Sequence, residues 1–171
     1  MQDIKETFSG YSDKAQDDRP LGAYAGLVAL FNAELALFLF AAKRSGRGLP
    51  ERIELRDLLL LGVATHKVAR IVSKEMVTSA VRAPFTQYEA PAGAGEINES
   101  TRGAGLRHAI GELLTCPFCL AVWVASYFTY GLVFAPRVTR LLASIFSMVT
   151  LSDVLQDLYD MLKNKAEHHD K

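Results

Sequence analysis

Cys116-Pro117-Phe118-Cys119 is where side chains capable of covalent chemistry stand together in this chain. Two thiols three positions apart can exchange with a disulfide, share a metal ion, or simply pack. Pro117 either opens a fresh helix or kinks one arriving from Leu106. If it opens one, Thr115 or Cys116 is the cap, and Cys119 falls in the first turn, where unpaired N–H groups point at its sulfur. Such a position favours the thiolate that redox chemistry needs. A thioredoxin-type enzyme would carry the pair in an alternating strand and helix pattern, which is absent here. The plain alternative is two small, soft residues packed at a helix end beside Trp123. A closed zinc site needs four ligands. Outside the tail, His66 and His108 are the only other soft ligands, so Cys116, Cys119, His66 and His108 form the available set. His108 lies eight residues before Cys116, about 12 Å along a continuous helix, so the chain would have to fold back. His168 and His169 lie in a polar tail and read as solvated. No cofactor is required, and zinc is the one candidate.

Charge offers two further candidates. At about 100° per residue, His66, Lys67, Arg70 and Lys74 share an arc of about 100° on one helical face. Directly after an apolar turn, that arc suits a helix resting among lipid headgroups. Arg82 or Arg107 would complete an anionic headgroup or phosphate site, and the plain alternative is a solvated face. Glu34 lies inside an apolar stretch and needs a partner there, for which Arg70 or His66 is available. Gly93-Ala94-Gly95 and Gly103-Ala104-Gly105 lack the third glycine or the lysine of phosphate loops and read as turns. No nucleophile elbow, metalloprotease helix or close carboxylate pair is present, which leaves a hydrolase without machinery and leans the reading away from an enzyme.

The elements that must position these residues are apolar. Leu113–Ala135 is a run of 23 residues without a charge, and Leu21–Ala42 is 22 residues containing one carboxylate, Glu34. About 20 helical residues cross a bilayer. Val138–Lys163 begins apolar and turns amphipathic from Asp153. The stretch from about 57 to 75 is short, and reads as interfacial or re-entrant, leading into a basic loop that extends to 107. The ends, 1–18 and 164–171, read as flexible, and 1–18 has no signal-peptide pattern. The 171 residues fit a single domain. Nineteen basic and 19 acidic groups cancel, which removes the basic excess a nucleic-acid protein would need. Two cysteines cannot frame a secreted disulfide fold. A water-soluble all-α globule would fit the mean hydropathy of +0.12 but not two long apolar runs with a single ionisable side chain, Glu34, between them.

Thr65 to Glu75 (THKVARIVSKE), Val77-Thr78 and Arg82-Ala83-Pro84-Phe85, followed by Gly111 to Cys119 (GELLTCPFC) and Trp123, resemble the two halves of an uncharacterised bacterial family, domain of unknown function 1360. The resemblance covers roughly 55 to 155. It implies a small bacterial membrane protein, with sporulation among the processes associated with relatives, and no established activity.

The sequence therefore predicts an all-α membrane bundle of three or four hydrophobic helices, with spans near 21–42, 113–135 and 138–162. It is expected to be integral to a bacterial cell membrane with its C-terminus cytoplasmic. Clustered lysine and arginine favour placing the 43–56 and 67–107 segments on one face. The expected function is non-enzymatic assembly with itself or a membrane partner, with anionic headgroups as a further contact. Ala25, Gly26 and Ala29, with Ala121 and Ala125, permit close helix approach. A thiol-disulfide or metal-binding membrane protein is the alternative.

Overall fold

The structure, a computed structural model, describes residues 19–169, with side chains through Lys165; the readings made on 1–18 and on His168 and His169 lie outside what it describes. Six α-helices and one hairpin follow in order: α1 Leu21–Arg44, α2 Leu55–Lys74, a 3-10 turn at Met76–Thr78, α3 Ser79–Arg82, β1 Thr86–Gly93, β2 Glu96–Thr101, α4 Leu106–Thr115, α5 Pro117–Phe134 and α6 Pro136–His169. The chain is all-α with a small antiparallel sheet inserted. Among the described residues, three helices, Leu21–Arg44, Pro117–Phe134 and Pro136–Lys165, are long and apolar enough to cross a membrane.

Local chemistry sets the boundaries. α1 starts after Pro20 and ends on Lys43 and Arg44, cations that suit the negative end of a helix dipole. The run beginning at Leu113 is two helices rather than one span. Cys116 turns extended (φ −101°, ψ 104°), and Pro117 then opens α5, where its missing N–H costs nothing. The tail expected to fray after Lys163 continues as helix to His169. The 76–107 loop contains the hairpin, paired from Thr86↔Thr101 to Gly93↔Glu96 with two bulges. Its turn, Gly93-Ala94-Gly95, has all three φ angles positive, which explains the glycines.

α2 is the centre of the bundle, lying against both α5 and α6. Leu61, Ala64 and Ala143 are buried there, ringed by Leu60, Phe128, Leu132 and Phe146. Asp57 meets Arg140, the Ser147 hydroxyl donates to the Leu60 carbonyl, and Lys67 meets Asp153, so α2 and α6 run parallel. α5 returns antiparallel to α6 through the tight turn at Ala135. α1 rides on α5 by one stripe: Phe31 meets Trp123 edge-on at 5.3 Å, the Tyr127 hydroxyl donates to Glu34, and Phe38 stacks on Tyr130 at 4.2 Å. Contacts between α1 and the rest are few.

These pairings put the two basic segments at opposite ends of the bundle rather than on one face. Arg47 donates to the carbonyls of Val133 and Phe134 at the end of α5. The hairpin, α3 and α4 gather instead at the start of α5, where Arg107 donates to the Pro84 carbonyl and Arg102 N–H to the Phe85 carbonyl. The reason is directional: α2 carries the chain from one end of α5 to the other.

Candidate functional site

Two clefts open at the end of the bundle that carries the hairpin. The first, about 790 Å³, lies between the C-terminal half of α2, the hairpin turn and α6. Its cations are already matched. Lys67 contacts Glu75 at 2.7 Å and Asp153 at 3.1 Å. Burial pulls the Lys67 ammonium down, but hydrogen bonds to those carboxylates and their charges outweigh it and hold the group above its ordinary value. Arg70 makes a two-pronged contact with Glu96, at 2.7 and 2.6 Å. Asp157 also lines the cleft, so acidic groups outnumber the lysine and arginine facing them.

This corrects two expectations. His66, Lys67, Arg70, Lys74, Arg82 and Arg107 do not converge on an anion. Arg82 has no exposed surface; its guanidinium is consumed by Glu99, the Val72 and Glu75 carbonyls and the Thr78 hydroxyl. It knits α2 to the hairpin and is a structural cation. Arg107 is spent on a backbone carbonyl. Nor do Glu34 and Arg70 meet: Glu34 accepts from Tyr127 at 2.9 Å, because α1 packs on α5 and not on α2. The hairpin brings Glu96 to Arg70 instead.

The second cleft, about 580 Å³, lies between the first turns of α1 and the α4–α5 junction, and both thiols line it. Cys116 is half-buried, Cys119 is exposed, and both are free. The Cys116 sulfur accepts the Cys119 backbone N–H at 3.2 Å, so Cys116 is the cap and its sulfur is the one the helix end faces. Leu27, Val28, Ala109 and Leu113 give the cleft apolar walls. Its polar rim is Glu112, which accepts from the Tyr24 hydroxyl and from Arg19 at 3.3 Å.

The thiols and histidines do not form one ligand set. His108 is held at 3.0 Å by the Thr101 hydroxyl and lies 3.5 Å from Glu112, while His66 lines the other cleft. Among the described residues, no three His, Cys, Asp or Glu side chains gather as metal ligands.

Among the ionic contacts that the sequence reading missed, one ties α2 to α6. Asp57, 4% exposed, receives two hydrogen bonds from Arg140. The Arg140 hydrogen bonds hold the Asp57 carboxyl below its ordinary value against the upward push of burial, aided by the charges of Arg140 and Arg56. A signal existed: each residue is a charge in the opening turn of an apolar helix.

The model of the family described as "Protein of unknown function (DUF1360)" matches residues 60–159. A curated relative, "Sporulation protein YjcA" of Bacillus subtilis (strain 168), is 25% identical over 104 residues, covering 59% of this chain and 88% of that protein. No solved structure matches. The family match runs from α2 into α6 and omits α1. Both clefts draw residues from the matched unit, and α1 forms one wall of the second.

Proposed function

This chain belongs to the DUF1360 family of proteins of unknown function, and from that premise we propose that it is an integral membrane assembly subunit that docks a second membrane helix on the outer face of α1. The observation that carries this reading is the imbalance of α1. Among the described residues it is one of three helices long and apolar enough to cross a membrane, all three little buried (11% for α1, 0% for α5, 11% for α6), and its imbalance lies in its two faces. Its inner stripe is spent on α5, while Ala25, Gly26, Ala29, Ala33 and Ala36 are exposed. Small residues let helix backbones approach closely where no hydrophobic drive separates lipid from protein. The Bacillus relative carries sporulation in its name, and a part in that process is the biological setting we propose.

Two finer features belong to the proposal. The end bearing the basic series from Lys67 to Arg107, together with the C-terminal part of α6, faces the cytoplasm. Anionic headgroups meet the cations of the opposite end, Lys43, Arg44 and Arg52, which form no salt bridge among the described residues. Cross-linking in native membranes tests the docking. A discrete adduct of fixed mass supports it; a lone monomer at every expression level contradicts it. Reporters fused after Lys171 and within the 45–54 loop test the orientation.

A further inference from the structure

The cleft behind α1 contains a dithiol that the assembly reading does not use. The docking face is the outer side of α1, and the thiols lie under its inner side. We propose that Cys116 and Cys119 form a dithiol–disulfide exchange site whose substrate is a disulfide carried on an apolar molecule or segment.

Three observations combine. First, Cys116 caps α5 with its sulfur on the Cys119 N–H at 3.2 Å. Cys116 therefore stands at the helix end with its sulfur facing a first-turn N–H, which makes it the attacking sulfur. Cys119 follows within the first turn and is placed to resolve. Second, both thiols are free and open on one cleft of about 580 Å³. Third, that cleft is walled mainly by Leu27, Val28, Ala109 and Leu113, and its polar lining groups are Thr115 and the mutually bonded set Arg19, Tyr24 and Glu112. A ligand pocket takes substrates whose surface its walls match, so a neutral, apolar disulfide is preferred over a charged one.

The exchange balances without any further reagent. The Cys116 thiolate attacks one sulfur of R–S–S–R, forming Cys116–S–S–R and releasing R–S⁻. The Cys119 thiolate then attacks the Cys116 sulfur, forming the Cys116–Cys119 disulfide and releasing the second R–S⁻. Two protein thiols are oxidised, one disulfide is reduced, and the two protons end on the released thiols.

The test uses the full chain in lipid nanodiscs, with a short peptide containing Cys-Pro-Phe-Cys as reference. Oxidised lipoamide is the apolar probe and oxidised glutathione the charged one. Lipoamide should oxidise the chain about tenfold faster than it oxidises the peptide, the worth of burying roughly two methylene groups, and glutathione should show no such gain. The product should lose two hydrogens in mass and resist maleimide. Cys119→Ser should stop at a mixed disulfide on Cys116, and Cys116→Ser should accumulate none. If a serine variant does not fold, the rate ratio of the natural chain decides alone. Equal lipoamide gains for chain and peptide, or an unreactive pair, would overturn the site.

Discussion

Asp57 and Arg140 tie the first turn of α2 to the first turn of α6 by two hydrogen bonds, at 2.9 and 2.8 Å. The carboxylate is nearly enclosed, while the guanidinium side chain is 45% exposed. Arg140→Gln would leave the enclosed charge unmatched and lower the unfolding temperature, since a hydrogen-bonded charge loses its partner. Asp57→Asn with Arg140→Gln should cost less than the two single changes added together. Thermal unfolding of the four variants in detergent reads the difference.

The same pair gives a pH dependence. The folded Asp57 carboxyl is held below its ordinary value, so its contribution to stability is complete above the unfolded carboxylate pKa. It is lost as the pH falls through the lower, folded value. Unfolding temperature should therefore drop on acidification below about pH 4, and less so in Asp57→Asn.

Arg82 should be less replaceable than any other cation. Its removal strands the Glu99 carboxylate, 4% exposed, at a cost of roughly 3–5 kcal/mol. Arg82→Lys should rescue little, because an ammonium cannot reach a carboxylate, a hydroxyl and two carbonyls with a planar fork. Amide exchange across Thr86–Thr101 would report the loosened hairpin.

Gly131 and Thr139 set the closeness of α5 and α6. A Cβ on Gly131 would overlap the Thr139 hydroxyl and stand 3.2 Å from its methyl group. The Thr139 side chain is fixed by its bond to the Ala135 carbonyl at 3.0 Å. Gly131→Ala should cost about 1–3 kcal/mol by overpacking, and adding Thr139→Ala should recover most of it. An unchanged unfolding temperature in Gly131→Ala would mean the helices stand further apart.

The apolar helices were legible because length and lack of charge suffice to identify them. Gly93-Ala94-Gly95 as a turn was legible for equally local reasons, whereas Pro117 read as either a helix start or a kink, and the structure shows the start. The central place of α2 was not: its apolar turn, Leu58–Ala64, looks short, and its value lies in small residues such as Ala64 and Ala69 that only their neighbours reveal. The hairpin was hidden by Pro91 and by bulges that break strict alternation. Charge partners failed most clearly. Arg70 had several carboxylates within plausible reach, and the choice of Glu96 follows from a hairpin fold that no spacing rule contains. At the cysteines, the chain narrowed the cap to Thr115 or Cys116, and the choice of Cys116 and the apolar cleft needed the fold, the cleft because α1 lies across it.

The most direct test of the assembly reading is site-specific photo-cross-linking from α1 in native membranes. A photoreactive residue at Ala29 or Ala33, on the exposed side of α1, should give one protein adduct of fixed mass. A probe at Leu27, which faces the bundle, should give only intramolecular products. If the Ala29 and Ala33 probes label lipid alone while the chain remains membrane-embedded and folded, α1 has no docked partner and the assembly reading is wrong.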